Sequence, residues 1–345
     1  MSYNNPFEPE NIGQAIDVLP NKYSRMGQLA LFDRRPIATT TVTIVRRGNK
    51  LVLLNPTARS GPRQELNRDL KNSVTFDIPS FKNGDLLTPE DIQNVTAFAP
   101  GPKQLEQVAT AEARRLQKVR DPYDQTFEFF RLAAIKGMIV DPLGNVMYNL
   151  FDAFAIQKKV VYFDLDNPDT NVTDHTQAIT DHIAENLGGE TSDGGVHVIC
   201  GGEFRRKLNS HPSRTKWLEQ HPDAASLLAK SRDIGDPNAM RTTYVDGVTF
   251  ESYTGKFTNT EGETLTPIEN NRGYAFPTGT TEMFPEYDAP ANRMGHVNTA
   301  PNEEIFVSTE VLKHDKGIDI DAEANKLPLC TQPRLLIECR AEAPG

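Results

Sequence analysis

The chain has 345 residues, is 37% hydrophobic and carries a formal net charge of -10. That length suits two domains or one elaborate domain, and the acidic total disfavours a general nucleic-acid binder. No apolar run approaches the roughly 20 residues that span a bilayer, and Cys200, Cys330 and Cys339 lack the CxxC spacing of a zinc site, so we expect a soluble protein with buried thiols.

The first residues, MSYNNPFEPENIGQ, contain neither the basic region nor the apolar region of a secretory signal. We therefore expect the chain to be made and used in a cytoplasm. Charge is spread unevenly, because the first 75 residues carry eleven basic and six acidic side chains, a net of +5 that leaves -15 for the remainder. A basic front on an acidic body suits a chain that docks onto copies of itself, although a solvated basic face explains the charge as well.

Residues 1 to about 37 mix prolines with polar residues and show no sustained period, which predicts an arm that becomes ordered only against another surface. Alternation from Thr41 to Val45, a turn at Gly48-Asn49 and a return over Leu51–Leu54 predict a β-hairpin. A polar loop over 57–72 and a strand through Val74, Phe76 and Ile78 follow. Asn83-Gly84 then predicts a turn.

Thr88-Pro89-Glu90-Asp91 has the cap, the first-turn proline and the first-turn acids of a short helix reaching to about Ala97. Residues 38–97 thus form a long β excursion with little apolar surface of its own. Since an isolated hairpin is marginal in water, we expect the excursion to find its partner surface on a neighbouring copy.

A long amphipathic run organises the chain. Apolar residues recur in steps of three or four through Leu105, Val108, Leu116, Val119, Tyr123, Phe127, Phe130, Ala134 and Met138. Pro122 should interrupt a helix, yet the stripe stays in phase across it, so we predict one kinked helix or two nearly collinear ones. The 33 residues from Leu105 to Gly137 would span roughly 50 Å, the length of a spine.

The following stretch, about 161–303, alternates strands and helices and could bury a core of its own. Strands are predicted at 158–165, 196–200, 245–253 and 273–276, helices at 176–187, 203–209 and 215–220, and a hairpin tip at 259–262. Ile305–Val311 and Arg334–Cys339 are predicted as closing strands that return beside the spine. The spine domain is then discontinuous, and the fold class is α+β.

The sequence contains several weak patterns of catalytic or ligand-binding residues and no complete site. There is no GxGxxG, P-loop, HExxH or GxSxG sequence. His175 and His182 could share a helix face but have no local third ligand. Gly201-Gly202 could bind an anion, although tight packing explains the glycines better. The DLDNPD segment at 164–169 lacks a complete calcium loop, so we predict no enzyme activity, cofactor or metal.

The order of these segments resembles the Hong Kong 97 fold, and more narrowly the lambda-type major capsid protein E family of tailed phages. The stretches that carry the resemblance are ATTTVTIVRRGNKLVLL, SGP before VTFDIPSF, TPEDIQNVTAF, TFEFFRLAAIKGMIVDPLGNVMYN, GYAFPTGTTEMFPEYDAPA and NKLPLCTQPRLLIE. They cover the chain from about Ile37 to Glu338. The segment from Asp164 to Gly189 matches least well.

The resemblance implies an N-arm at 1–37, an E-loop at 38–97, a P-domain at 98–160 and 304–345 that contains the spine, and an A-domain at 161–303. It implies a homo-oligomer of hexamers and pentamers that encloses double-stranded DNA without reading its sequence and makes no membrane contact. A separate scaffolding protein, a portal and a possible decoration or cementing protein would be its partners. The chain would belong to the virion and would assemble in the cytoplasm of a bacterial host.

Contacts between copies are expected at Arg46, Arg47, Arg59, Arg63, Arg68 and Lys71. For the basic loop among these residues, a solvated role and, less favoured, nucleic-acid binding stay open. Some relatives join subunits covalently through Lys and Asn, and Lys71 or Lys82 could take that part. Alternatives for the whole chain are a nanocompartment shell or a minor capsid component of the same fold, and a hydrolase on the middle domain.

Overall fold

A 29-residue helix and two β-sheets organise the computed structural model, which describes residues 24–46, 72–93, 108–188, 192–220 and 242–344. The helices are α1 (Arg25–Gln28), α2 (Pro89–Ile92), α3 (Val108–Lys136), α4 (Leu150–Ala153), α5 (Val172–Asn186), α6 (Gly202–Ser210) and α7 (Pro212–Gln220). Three short 3-10 turns lie at Met294–His296, Lys313–Asp315 and Pro333–Leu335.

Seventeen strands complete the described part of the chain. They are β1 (Asp33–Pro36), β2 (Thr41–Arg46), β3 (Asn72–Asp77), β4 (Ser80–Leu87), β5 (Met138–Val140), β6 (Val146–Asn149), β7 (Lys159–Tyr162), β8 (Val196–Cys200), β9 (Thr242–Val245), β10 (Val248–Ser252), β11 (Phe257–Thr258), β12 (Thr264–Leu265), β13 (Arg272–Pro277), β14 (Pro285–Asp288), β15 (Phe306–Val311), β16 (Ile318–Pro328) and β17 (Ile337–Arg340).

Helix α3 is the predicted spine, and it is one helix rather than two. Its stripe through Val119, Tyr123, Phe127 and Phe130 is buried, as the spacing predicts. Pro122 lies inside the helix on its exposed side. A proline removes the helical hydrogen bond to the carbonyl four residues earlier, here that of Lys118, and displaces the preceding turn. In that turn the Asn83 amide donates to the carbonyl of Val119 at 3.1 Å. The predicted start at Leu105 lies outside the described residues.

The first sheet packs on the N-terminal half of α3, and we call it the spine sheet. Its strand order is β1-β14-β16-β15, and β4 pairs with β16 as well. Ile320, Ala322 and Ala324 of β16 meet Val119 and Tyr123 of the helix in a small apolar core. The hairpin of β15 and β16 around residues 312–317 confirms the predicted strand and turn in this region.

The predicted turn at Asn83-Gly84 is wrong, because β4 runs straight through both residues. Gly84 lies opposite Asp321 of β16. A Cβ at Gly84 would stand 2.8 Å from the carbonyl oxygen of Ile320, so the glycine permits close strand contact here. The predicted excursion without a core therefore does not extend through 80–87, since these residues belong to the spine sheet.

The second sheet has six strands in the order β7-β17-β13-β8-β10-β9. One face carries an aromatic cluster of Phe163, Phe204 and Phe250, which joins α6 to the sheet. The other face receives the C-terminal end of α3, where the ammonium of Lys136 lies 5.2 Å from the ring centre of Tyr274. Predicted strands at 196–200, 245–253 and 273–276 and the hairpin at 257–265 are confirmed within a few residues.

The position of the last strand differs from the predicted one. Arg334–Cys339 was expected beside the spine, but β17 lies between β7 and β13 in the six-stranded sheet. Ile337 and Cys339 are buried there, and the local apolar pattern could not distinguish between two sheets that both offer burial. Only β15 and β16 return to the spine, together with β14, which was predicted to lie in the middle domain.

The end of the predicted N-terminal arm is ordered on its own subunit. Met26 is fully buried, and β1 pairs in parallel with β14. The prediction that the arm becomes ordered only against another surface is therefore wrong for residues 24–37, whereas residues 1–23 lie outside the described part. Within the described residues, no helix is both long and apolar enough to cross a membrane.

Candidate assembly surfaces

One of the six predicted contact residues lies in a two-stranded ribbon formed by β2 and β3. Arg46 ends β2 opposite Asn72. The other five predicted residues, Arg47, Arg59, Arg63, Arg68 and Lys71, lie outside the described residues, as do the predicted turn at Gly48-Asn49 and the return strand Leu51–Leu54. The described strand that pairs with β2 is β3, with Thr41 opposite Asp77 at the other end of the ribbon.

The root of the ribbon is fixed to its own subunit. The hydroxyl of Tyr148 accepts a hydrogen bond from the N–H of Asp77 at 3.0 Å and donates one to the carbonyl of Asp77 at 2.9 Å. Phe76 is buried against the rings of Tyr148 and Phe154, with ring centres 5.2 and 6.1 Å apart. Burial raises the pKa of Tyr148. This anchoring gives the ribbon a fixed point of departure.

The segment that precedes β1 is held by two buried carboxylates. The carboxylate of Glu128 accepts hydrogen bonds from the N–H groups of Met26, at 2.8 and 3.0 Å, and Gly27, at 3.3 Å. The carboxylate of Glu251 accepts two from Arg25, at 2.6 and 2.9 Å. A bidentate arginine contact fixes orientation as well as distance. Residues 25–27 therefore link the long helix to the six-stranded sheet.

The pKa values of the two carboxylates are shifted in opposite directions. Burial raises the pKa of Glu128, and the N–H groups of Met26 and Gly27 offset only part of that rise. Burial also acts to raise the pKa of Glu251, but hydrogen bonds and charge from His197 and Arg25 outweigh it and hold that pKa below its ordinary value. Ionised Glu251 is the form that holds Arg25.

A second cluster of charges joins α3 to the spine sheet. Arg131 donates to both carboxylate oxygens of Glu286 at 2.8 Å, and the ammonium of Lys326 lies 3.1 Å from the same carboxylate. Arg34 of β1 pairs with Asp288. The hydrogen bond and charge of Arg131 overcome the effect of burial and hold the pKa of Glu286 below its ordinary value. The cluster fastens β1, β14 and β16 to the helix.

A groove of about 710 Å³ opens beside the root of the ribbon. The segments that flank the ribbon, within 38–41 and 78–82, form one wall, and Ala289–Arg293 form another. Its floor carries Glu323, which accepts hydrogen bonds from the backbone of Asn292 and the side chain of Asn325, both at 2.9 Å. The groove is a recess with a polar floor, and it lies next to the root of the ribbon.

The weak chemical patterns of the sequence have structural explanations. Cys200 is fully buried, and burial raises its pKa to about 12, which disfavours a thiolate nucleophile. A Cβ at Gly201 would lie 2.3 Å from the carbonyl oxygen of Glu269, so packing requires this glycine. In the DLDNPD segment, Asp166 pairs with Lys207 at 2.8 Å. No group of three metal-binding side chains occurs among the residues that the structure describes.

Sequence reasoning missed the charge clusters altogether. Lys326 and Glu286 are 40 positions apart, and Arg131 and Glu286 are 155 apart. Each residue has the appearance of an ordinary surface charge in its own segment. Glu128 is the one member with a signal in the sequence, because it lies within the apolar stretch FEFF. A charge inside a buried stripe requires a partner.

Comparison with known proteins gives a match over nearly the whole chain. The sequence profile of the family described as "Phage major capsid protein E" matches residues 9–341. A major capsid protein of Salmonella phage Felix O1 is 31% identical over 96% of this chain and 95% of its own length. A major capsid protein of Pseudomonas phage KPP10 is 27% identical over 99% and 98% of the two chains.

Solved structures support the fold. A phage-related protein from Bordetella bronchiseptica superposes with a TM-score of 0.51 at 13% identity, covering 98% of this chain and 99% of that one. A putative prophage capsid protein from Escherichia coli gives 0.50 at 14% identity, covering 79% and 80%. At such identities the likeness concerns the fold alone, and it confirms the predicted Hong Kong 97-like, α+β arrangement.

Proposed function

Since the chain belongs to the family of phage major capsid protein E, we infer that it is the subunit from which a tailed phage builds its head shell. The observation that carries this function is the match of a major capsid protein at 31% identity over 96% of the chain. A structural role also fits the buried thiols and the internally paired charges described above. The protein is then a component of the virion head.

We assign the described elements to the parts of a capsid subunit. The N-arm is 1–37, the E-loop begins at 38, the P-domain comprises 98–160 and 304–345, and the A-domain is 161–303. Sheet pairing supports two changes to these limits. Strands β4 and β14 join the P-domain through β16, and β17 joins the A-domain through β13. The E-loop is accordingly the part of the chain that contains β2, β3 and the basic residues between them in the sequence.

We propose that copies of this subunit assemble into hexamers and pentamers. A ribbon that reaches from one copy onto the next makes a head-to-tail contact, which closes into a ring when the rotation allows. Each copy then gives one ribbon and receives another. Many such contacts raise the effective concentration of every further contact, so modest pairwise affinities produce a durable shell.

The basic segment supplies the charge for these contacts. The predicted residues Arg46, Arg47, Arg59, Arg63, Arg68 and Lys71 belong to a front end of net charge +5, and the remainder of the chain carries -15. Opposite charges accelerate association and fix orientation, and they contribute less to final affinity. Carboxylates on the body of a neighbouring copy are the proposed partners of this segment.

The first experiment is electron microscopy of the protein expressed together with its neighbouring genes. Closed icosahedral shells would support the function, and soluble chains with no shell would contradict it. A variant with Arg59, Arg63, Arg68 and Lys71 changed to Ser should keep the fold of the subunit and give fewer shells. The matched control changes Lys159, Arg206, Lys216 and Lys256 to Ser, which removes the same charge from exposed positions of the body.

Undiminished shell yield from the first variant, or an equal loss from both, would contradict the role of the basic segment.

We propose further that the shell encloses double-stranded DNA without sequence recognition. A separate scaffolding protein, a portal and a decoration or cementing protein would act with it in the cytoplasm of a bacterial host. Purified heads analysed by mass spectrometry would identify these partners.

A further inference from the structure

Strand β15 leaves one edge of the spine sheet open. It pairs with β16 over six residues, from Phe306 opposite Glu323 to Val311 opposite Ile318. The N–H of Leu312 donates to the carbonyl of Gly317 at 2.9 Å, which sets the alternation of the ladder. By that alternation Val307, Thr309 and Val311 turn their backbone groups away from β16.

These outward groups have no hydrogen-bond partner among the described residues. Val311 is 61% exposed, and β15 contains neither proline nor lysine, two residues that commonly protect an edge. An unprotected edge of this kind is a template for another strand.

The opposite edge of the same sheet is closed by its own side chains. In β4 the N–H of Gly84 donates to the side-chain oxygen of Asn83, and the N–H of Leu86 donates to that of Asp85, both at 3.0 Å. These side chains occupy the donors that an incoming strand would need. On the two sides of residues 318–323 of β16, the sheet therefore has one blocked edge and one available edge.

We propose that β15 pairs with β15 of a second copy as antiparallel strands, which joins two spine sheets across a two-fold axis. The proposal rests on the head-shell function, because a shell brings many copies into contact. The outward positions must form the hydrogen-bonded pairs, and the register centred on Thr309 is the one that pairs all three of them with one another. Val311 then lies opposite Val307 of the second copy.

This register suits the side chains. Thr309 meets its own counterpart, and threonine pairs stabilise antiparallel strands. The exposed Val311 gains an apolar neighbour, and Glu310 faces Ser308 of the second copy rather than another carboxylate. The contact uses the same surface on both copies, so it closes after two subunits and does not propagate into a fibre.

Oxidative cross-linking of Thr309→Cys tests the register. Hydrogen-bonded strand partners have Cα atoms about 5.5 Å apart, which a disulfide can span. The three native cysteines are buried and do not compete. We expect a covalent dimer from Thr309→Cys in purified particles and little from Leu86→Cys on the blocked edge. Particles without the dimer, or equal dimer from both variants, would overturn the pairing.

Proline variants test the same edge without cross-linking. The N–H of Thr309 points away from β16, so Thr309→Pro should keep the ladder and the thermal stability of the soluble subunit while lowering particle yield. Ser308→Pro removes a donor that faces β16 and should destabilise the subunit itself. Full particle yield from Thr309→Pro would count against the proposal.

The outcomes separate this pairing from the proposed function. Shells that form without a Thr309→Cys dimer leave the function standing and refute the pairing. A dimer that forms in soluble Thr309→Cys protein, when no shell is found under any condition, supports the pairing and counts against the head-shell function.

Discussion

Lys326 shows how individual charges hold the inner layers of this protein together. Only 1% of its side chain is exposed, and its ammonium lies 3.1 Å from Glu286, 3.3 Å from Glu304 and 4.5 Å from the ring centre of Phe127. Burying a lone ammonium would cost several kcal/mol, and the carboxylates and the ring offset that cost. Removal of one partner would leave the others buried without compensation.

Acid should weaken this cluster. The folded pKa of Glu286 lies below its ordinary value of 4.5, so the folded state binds fewer protons than the unfolded state. The resulting stability is complete above the unfolded pKa and is lost as the pH falls through the folded pKa. Glu251 and Glu338 shift in the same direction and add to the effect. The contribution of these three groups to the free energy of unfolding should therefore fall as the pH drops below about 5, whereas Asp288 and Glu128, whose pKa values burial raises, act in the opposite direction.

The variant Glu286→Gln isolates the contribution of one group. It should lose about 3–5 kcal/mol at pH 7, because Arg131 and Lys326 stay buried with one fewer charge. It should also show a shallower loss between pH 5 and pH 3. Urea unfolding of the soluble subunit measures both quantities, with exposed Glu261→Gln as the control. An unchanged pH slope would contradict the assignment.

Among the elements, α3 is the one whose displaced turn is held from outside. Pro122 cannot donate a hydrogen bond to the carbonyl of Lys118, and its ring displaces the preceding turn. The side chain of Asn83, on β4, donates to the neighbouring carbonyl of Val119 in that turn. The same strand that closes one edge of the spine sheet thus supports the helix that the sheet packs against.

A double-mutant cycle tests whether the Asn83 contact depends on the displaced turn. Asn83→Ala should cost about 0.5–1.5 kcal/mol for each of the two hydrogen bonds that it removes, the one to Val119 and the one from the N–H of Gly84. In a Pro122→Ala background the cost should shrink, because a turn that is no longer displaced lets the N–H of Tyr123 satisfy the carbonyl of Val119 within the helix. Denaturant unfolding of the four proteins gives the coupling energy. Additive effects would mean that the Asn83 contact is unrelated to the proline.

For the whole molecule, two cores of unequal size determine which parts are fixed. The larger core runs from the six-stranded sheet through Phe130 and Leu132 of the helix to Phe76 at the ribbon root. The smaller core lies between the helix and the spine sheet. Val42, Ile44 and Val74 of the ribbon still pack against the larger core. The tip of the hairpin of β11 and β12, residues 260–264, is exposed, and an exposed tip is available to neighbouring copies.

The tip of that hairpin provides a prediction about the shell. The side chain of Asn259 accepts hydrogen bonds from the N–H groups of Glu261 and Glu263, at 3.0 and 2.8 Å, so the tip has a defined shape. We expect it to lie near the centre of a hexamer or pentamer. A six-residue Gly/Ser insertion after Glu261 should leave the subunit folded and reduce shell yield.

An equal insertion after Leu143, in the exposed turn between β5 and β6, is the control for insertion at a hairpin. Circular dichroism checks the fold, and electron microscopy counts the particles. Normal particles from the Glu261 insertion would show that the tip is not crowded.

The local pattern of apolar residues was sufficient to predict most of the helices and strands. The order of these elements was then sufficient to indicate the family. The stripe from Val119 to Phe130 predicted the helix, because burial of one helix face requires that spacing. Alternation predicted β2 and β3 for the corresponding reason in strands, and a short buried-type apolar run predicted β8. The order of arm, ribbon, spine and middle domain carried the resemblance to capsid proteins.

Tertiary structure decided what local pattern leaves undetermined. Asn83-Gly84 has the residues of a turn, and only pairing along β16 shows that glycine serves close approach there. Arg334–Cys339 is apolar enough for either sheet, so its partner had to come from the fold. The paired charges of Arg131, Glu286 and Lys326 are far apart in the chain. Their contacts depend on distance in space, a quantity that composition and periodicity do not contain.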